Sequence, residues 1–252
     1  VMIMVHGDNN GLVLPPRVAP KQVVIVWIYK AADSKEAIEK MRARANALGD
    51  ALEASGIRVE VDNRMNKTAG WKMTHWEQKG LPLRLEIGSN EMASESLVAC
   101  RRHNNAKVTI AMSDVVAECH QLLADIHDSM LDTARQDRDA HLSIVTTWEE
   151  FLVEIERGHE VLAPWCELIA SEEWVKDTSK AHYAEKLAKA AEAKGETQEA
   201  DDGKGLSGAA KTLCIPFAQP PMPENQLCFT SQEGSPGFGK KATVWCLWGR
   251  SY

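Results

Sequence analysis

The chain has 252 residues, 44% hydrophobic and 26% charged, with a formal net charge of −7. This length holds one large domain or two ordinary ones, and the composition excludes a chain dominated by disorder. No run of 18 or more apolar residues occurs, so no helix is expected to span a membrane, and the first residues lack the basic region and cleavage site of a signal peptide.

Charge is unevenly spread. Residues 21–112 carry 15 Lys and Arg against 11 Asp and Glu, whereas residues 113–252 carry 13 against 24. An acidic whole with a mildly basic part fits local phosphate contact, not a general nucleic-acid coat. Cys100, Cys119, Cys166, Cys214, Cys228 and Cys246 include no CxxC pair and read as reduced cytosolic thiols.

The first residue is Val, which suggests a fragment, and Val1–Val5 is apolar throughout, as in a buried strand or the last turns of a buried helix. Gly11–Pro20 carries three prolines and reads as an extended connector into a new domain. Val23–Ile28 is a continuous β-rich run, expected to be a strand buried on both faces. A helix follows from Ser34 as N-cap to about Ser55, with Ile38, Met41, Ala45, Leu48 and Leu52 on one stripe. Gly56 ends it and Ile57–Val61 alternates as a second strand, making a βαβ unit with parallel strands.

Asp62–Gly88 reads as a strand end, a polar loop, a short helical turn with Trp71 and Trp76, and another strand. Cations and aromatics interleave here, as on surfaces that stack on bases and neutralise phosphates. The same residues also suit a half-buried tryptophan pair that wedges a loop against its own domain. Arg84 and Glu86 alternate on a strand and are equally suited to a structural ion pair. Ser96–Cys100 and Lys107–Ala111 form a hairpin, and Ser113 caps a helix with Val116, Cys119, Leu123, Ile126 and Met130 on one side. Residues 18–145 are thus expected to be a mixed sheet covered by helices.

Thr147-Trp148-Glu149-Glu150 has capping-box spacing, Val161–Trp165 is a short strand, and Ser171 is expected as the N-cap of a further helix. Ala181–Gly205 reads as a charged insertion, partly helical and without chemistry. Thr212–Phe217, Gln226–Thr230 and Thr243–Leu247 supply three strands of a small terminal sheet.

No Walker pattern or GxGxxG is present, and Gly237-Phe238-Gly239-Lys240 is a glycine-rich turn without a following helix to aim amides at phosphate. A hydride-transfer enzyme is therefore not expected. A nucleotide-binding α/β enzyme would place its ligand at the carboxyl ends of the sheet strands. The eight histidines and six cysteines permit a Cys/His nucleophile pair on paper, with no spacing that singles one out.

The run Gly70-Trp71-Lys72, Trp76-Glu77, Lys79-Gly80, Pro82, Arg84, Glu86, Gly88 resembles the anticodon-binding domain of prolyl-tRNA synthetase of the eukaryotic and archaeal type. Val5-His6-Gly7-Asp8 with Gly11-Leu12-Val13-Leu14-Pro15-Pro16-Arg17, and the ending Trp248-Gly249-Arg250-Ser251-Tyr252, agree with it, so the resemblance spans nearly the whole chain. It implies residues 1–17 as the tail of a class II catalytic domain, 18–145 as an α/β anticodon-binding domain, and 146–252 as a small α+β C-terminal domain. The parent enzyme would use ATP and Mg²⁺ to join proline to tRNA(Pro) in the cytoplasm, as a homodimer through its catalytic domain. This portion would bind the anticodon and catalyse nothing. The alternative is a stand-alone anticodon-domain accessory or interaction protein.

The resemblance also implies site residues. The proline anticodon ends in two guanines, and Arg64, Lys72 and Glu77 have side chains suited to guanine edges, with Trp71 and Trp76 as stacking plates. Many family members hold zinc through four cysteines in the C-terminal domain. The matching positions here are Cys166, Ser171, Cys228 and Thr230, so no metal is expected, because hydroxyls do not replace thiolates on zinc. Arg250 and the terminal Tyr252 resemble a tail that folds back toward the catalytic domain.

Overall fold

Val23-Val24-Ile25-Val26-Trp27 has no polar side to turn to water, and β1 (Val23–Trp27) is buried along its whole length. The computed structural model describes residues 1–30, 32–194 and 208–250. They divide into two units, Val1–Gln136 and Asp137–Tyr252. The division falls before the expected residue 145, because β6 (Leu142–Ile144) pairs within the second sheet.

The first unit is built on a five-stranded sheet of order β2-β1-β3-β4-β5. β1 runs parallel to β2 (Val59–Val61) and β3 (Leu83–Ile87), and past the short α4 (Ser89–Ala93) β4 (Ser96–Arg101) and β5 (Lys107–Ala111) add the antiparallel hairpin. Alternation sorts β1 between two packings. Val23, Ile25 and Trp27 join the large core with Met41, Leu48 and Leu52 of α2 (Lys35–Ala54) and Cys119, Leu123 and Ile126 of α5 (Val115–Ala140). Val24 and Val26 face the other way, onto Leu81 and Trp76. Trp76 belongs to α3 (Ala69–Gln78), which is how that helix is held on the open face of the sheet.

Ser34 caps α2, its hydroxyl accepting from Ala37 N at 3.1 Å. Ser113 does not cap α5. It lies in a 3-10 turn, Met112–Asp114, that tightens the chain between β5 and the helix. α1 (Met2–His6) is helical, but Ile3 and Met4 are exposed, so the expected burial of the apolar first residues is not found within this chain. The proline-bearing connector is extended along the end of α3: Leu12 N donates to Gln78 O and Leu14 N to Gly80 O, both at 3.0 Å. Gly80 has φ +70°, and a Cβ there would lie 2.6 Å from the Leu12 carbonyl. Arg102 completes the junction with a paired contact to Asp8, both bonds at 2.7 Å. That guanidinium draws the Asp8 carboxyl down to about 2.

The second unit holds a four-stranded sheet of order β6-β7-β9-β8, from β6, β7 (Glu160–Trp165), β9 (Val244–Arg250) and β8 (Ala210–Cys214). α6 (Trp148–Glu156) opens with the expected capping box of Thr147 and Glu150, and α7 (Ile169–Lys194) follows β7. Ser171 lies inside α7 and does not cap it; its hydroxyl donates to Leu168 O and accepts from Trp165 Nε1, both at 2.7 Å. The segment read as an insertion from 181 is helical to Lys194, and residues 195–207 lie outside the described residues. Gln226–Thr230 is not a strand: only an isolated bridge, Leu227 to Lys241, forms there. An aromatic cluster fills the core, with Phe229 centred 4.8 Å from Phe151 and 5.2 Å from Trp248. Edge-to-face and tilted contacts of this kind add to the large apolar area each ring buries.

Candidate nucleic-acid interface

β2 ends by delivering Asp62 into a buried position beneath α3. A charged carboxylate is tolerated there only if its oxygens are fully partnered. Oδ1 accepts from Arg64 Nε at 2.8 Å and Arg64 N at 3.2 Å; Oδ2 accepts from Trp76 Nε1 at 2.8 Å and from Arg64 Nη2. Burial opposes ionisation of Asp62, but Arg64, Trp76 and the Lys72 charge outweigh it and hold the pKa at about 2. Its hydrogen bonds to Asp62 raise the pKa of Arg64 in turn.

α3 begins where Thr68 Oγ1 accepts from Trp71 N at 3.2 Å. The expected short turn is thus a ten-residue helix, and helical spacing decides which residues emerge. Lys72 and Trp76, four apart, share the face turned to the sheet, whereas Trp71 and His75 share an outer face. Trp71 and His75 stack with centroids 4.7 Å apart at 15°. Burial, with Lys79 and Arg64 nearby, lowers the His75 pKa, which favours the neutral ring. Three cations flank the aromatics. Arg64 Cζ is 4.8 Å from the Trp71 ring, Lys67 Nζ 4.6 Å from the same ring, and Lys79 Nζ 5.1 Å from the Trp76 ring. An open groove of about 440 Å³ is lined by Glu60, Asp62, Arg64, His75, Trp76 and Lys79.

Arg64, Trp71 and Trp76 are therefore brought together. Lys72 is not at the surface. It is 1% exposed, its ammonium donates to Asp62 O at 2.9 Å and lies 4.8 Å from the Trp27 ring, and burial lowers its pKa. Lys72 ties Asp62 at the end of β2 to Trp27 of β1 and lies outside this groove, on the wall of a smaller pocket shared with Tyr29 and Lys67. Glu77 is half-buried and absent from the groove lining; its carbonyl accepts from Arg102 Nε at 2.9 Å. Lys67, His75 and Lys79 join the site without having been singled out; the signal was the Trp71–His75 spacing, legible once a helix is assigned. Arg84 and Glu86 form the ion pair, with Nη2 2.8 Å from Oε1, on a strand away from the groove lining.

In the second unit, Cys166 with Ser171 and Cys228 with Thr230 form two pairs on segments joined by the Phe229 N to Pro164 O bond. Cys228 Sγ is 3.1 Å from Thr230 Oγ1, and Cys166 Sγ is 3.7 Å from Ser171 Oγ. The donor set does not fit zinc: two positions are hydroxyls, and that of Ser171 is already committed to Trp165 and Leu168. Among the described residues no group of three or more His, Cys, Asp or Glu gathers to hold a metal. Arg250 ends β9 with its guanidinium 4.3 Å from the Tyr183 ring centre, inside its own unit; Tyr252 lies outside the described residues.

A family model described as an anticodon binding domain matches residues 22–122, and one described as the C-terminal domain of prolyl-tRNA synthetase matches residues 148–252. A cytoplasmic proline–tRNA ligase of Arabidopsis thaliana is 41% identical over 253 residues, covering 100% of this chain and 41% of the relative. A proline–tRNA ligase of Encephalitozoon cuniculi is 36% identical over 253 residues, covering 100% of this chain and 46% of the relative. A bifunctional glutamate/proline–tRNA ligase of Drosophila melanogaster is 40% identical over 254 residues, covering 100% of this chain and 14% of the relative. The chain thus spans less than half the length of each of these relatives. The Asp62-centred groove falls inside the first matched region and the Cys166–Cys228 cluster inside the second, and with relatives aligned along its whole length the chain belongs to the prolyl-tRNA synthetase family, of which it spans the anticodon-binding and C-terminal domains.

Proposed function

We propose that the groove around Asp62 binds the anticodon of tRNA(Pro), within a protein that joins proline to that tRNA. The observation that carries this reading is the fixed guanidinium of Arg64 beside the exposed Trp71–His75 stack. Single-stranded anticodon bases can be splayed and stacked on such a plate, and guanine O6 and N7 accept from an arginine. Lys67 and Lys79 neutralise neighbouring phosphates. Asp62 keeps the guanidinium in one orientation, so that less of its freedom is lost on binding.

The proposal extends to the parts this chain does not contain. The whole protein uses ATP and Mg²⁺ to activate proline, dimerises through its catalytic domain and works in the cytoplasm. Among the described residues, no helix is long and apolar enough to cross a membrane. In the same reading Tyr252, beyond Arg250, docks toward the catalytic domain. The test is equilibrium binding of this chain to a tRNA(Pro) transcript and to one with the anticodon guanines replaced. Preference for the cognate transcript, lost in Arg64→Ala, is expected; equal binding of both transcripts by the unsubstituted chain overturns the assignment.

A further inference from the structure

β6 is an edge of the second sheet and pairs with β7 alone among the described residues. Just before it His141 O accepts from Glu160 N at 2.9 Å, and just after it Val145 N donates to Leu162 O at 3.1 Å. Strand alternation therefore turns the amides and carbonyls of Leu142 and Ile144 outward, away from β7. A charge or a proline ordinarily guards such an edge, as the exposed Lys107 does on the edge strand β5. Leu142-Ser143-Ile144 carries neither, and Ile144 is 61% exposed. α6 borders this edge: Ser143 Oγ donates to Glu154 Oε2 at 2.8 Å, which puts Ser143 on the face that the helix covers and Ile144 on the opposite one. A cavity of about 510 Å³ lies between Ser143 and Ile144 of the strand and Glu149, Glu150, Val153 and Glu154 of the helix. Val153 is half-exposed on its wall. Glu154 is already paired with Arg157 and His159, whereas Glu149 and Glu150 are exposed and have no ion-pair partner among the described residues.

We propose that this groove takes an extended basic peptide as an added strand beside β6. The peptide backbone bonds to the outward amides and carbonyls of Leu142 and Ile144, and its side chains alternate between the two faces. Those toward α6 are Lys or Arg, with their stems on Val153 and their charges against Glu149 and Glu150. Those on the other face are apolar and cover Ile144. A second copy of this chain does not suit the groove, because pairing β6 with β6 about a two-fold axis brings two acidic rims together.

The full chain, isotopically labelled, is titrated with a short peptide of alternating valine and lysine and followed by amide NMR spectra. Shifts are expected to centre on Leu142 and Ile144, and hydrogen exchange at those two amides should slow. Replacing the lysines by glutamates, or methylating the peptide nitrogens that face β6, should each weaken binding by about tenfold or more. Val153→Lys should do the same while leaving the circular dichroism unchanged. The peptide series on the unsubstituted chain decides the matter whether or not that variant folds. Equal binding of the glutamate peptide removes the acidic rim from the interaction, and undiminished binding of the methylated peptide removes strand addition. Shifts centred on β8 or another edge, no shifts at about 1 mM peptide, or self-association that moves Leu142 and Ile144 without peptide also overturns the proposal.

Discussion

Arg64 reaches the groove with its guanidinium already fixed, because Asp62 accepts its Nε at 2.8 Å and its Nη2 on the other carboxylate oxygen. The same carboxylate accepts the Trp76 indole and offsets the buried Lys72 ammonium, 3.8 Å away. One acid thus supports both the fold beneath α3 and the group displayed above it. Asp62→Ala should therefore destabilise the first unit by about 3–5 kcal/mol, since removing one partner strands a buried charge. Denaturant unfolding followed by fluorescence measures this, and a variant within about 0.5 kcal/mol of the parent would show that the cluster is not a structural centre.

Acid should act through the same residue. The Asp62 pKa is about 2 in the folded chain against 3.8 as its ordinary value. A depressed carboxylate stabilises the fold fully above its unfolded pKa, and the contribution is lost as pH falls through the folded value. Between pH 4 and pH 2 the chain should lose roughly 2 kcal/mol from this group. Unfolding midpoints across that window should fall more steeply in the parent than in Asp62→Asn; parallel curves would remove Asp62 from the acid response.

Trp71 and Lys72 are neighbours in sequence and should behave oppositely. Trp71 is 40% exposed, so Trp71→Ala should leave stability nearly unchanged and weaken tRNA(Pro) binding by about 1–3 kcal/mol, the worth of one stacked base. Lys72→Ala should lower the melting temperature and leave little folded protein with altered affinity. Calorimetry paired with a binding titration separates the two. The reverse pattern would place Lys72, not Trp71, in contact with the nucleic acid.

Why the sequence treated those two residues alike is physical. β1 and α2 were legible because an unbroken apolar run and a capped stripe each have one low-energy arrangement. α3 carries no broad apolar stripe; Ala69-Gly70-Trp71-Lys72 mixes types, so its ten-residue length was hidden and with it the face on which Lys72 lies. β6, only three residues long, is too short for any period to register, which shifted the expected domain boundary. Ser171 looked like an N-cap because nothing local reveals that the Trp165 indole will claim its hydroxyl. Contacts between residues far apart in the chain were the part that local pattern did not contain.

Gly80 illustrates a residue kept for space. Its φ of +70° and the 2.6 Å approach of the Leu12 carbonyl leave no room for a side chain. Gly80→Ala combines left-handed strain with a clash against backbone that cannot rotate away, and should cost about 1–3 kcal/mol. Hydrogen exchange should show faster opening at the Leu12 and Leu14 amides, which bond across this junction. Unchanged exchange would mean that the connector is held by Arg102 and Asp8 alone.

The second unit allows a prediction by restoration. Cys166 touches Ser171 and Cys228 touches Thr230, so each hydroxyl stands beside a thiol at a position where the family resemblance implies a zinc thiolate. The unsubstituted chain should carry well under one zinc per molecule, and chelator should leave its melting temperature unchanged. In Ser171→Cys with Thr230→Cys the donor set becomes four thiolates, which suits tetrahedral zinc. Loss of the Ser171 hydroxyl also leaves the Trp165 indole N–H unpaired, a cost of about 1–3 kcal/mol in the metal-free variant. The double variant should therefore be less stable than the parent without zinc and more stable with it, because metal bound only by the folded chain adds its binding energy to folding. Elemental analysis and paired melting curves read both effects. Stoichiometric zinc in the unsubstituted chain would show that Cys166 and Cys228 recruit other ligands, and a double variant indifferent to zinc would show that the four positions do not point at one centre.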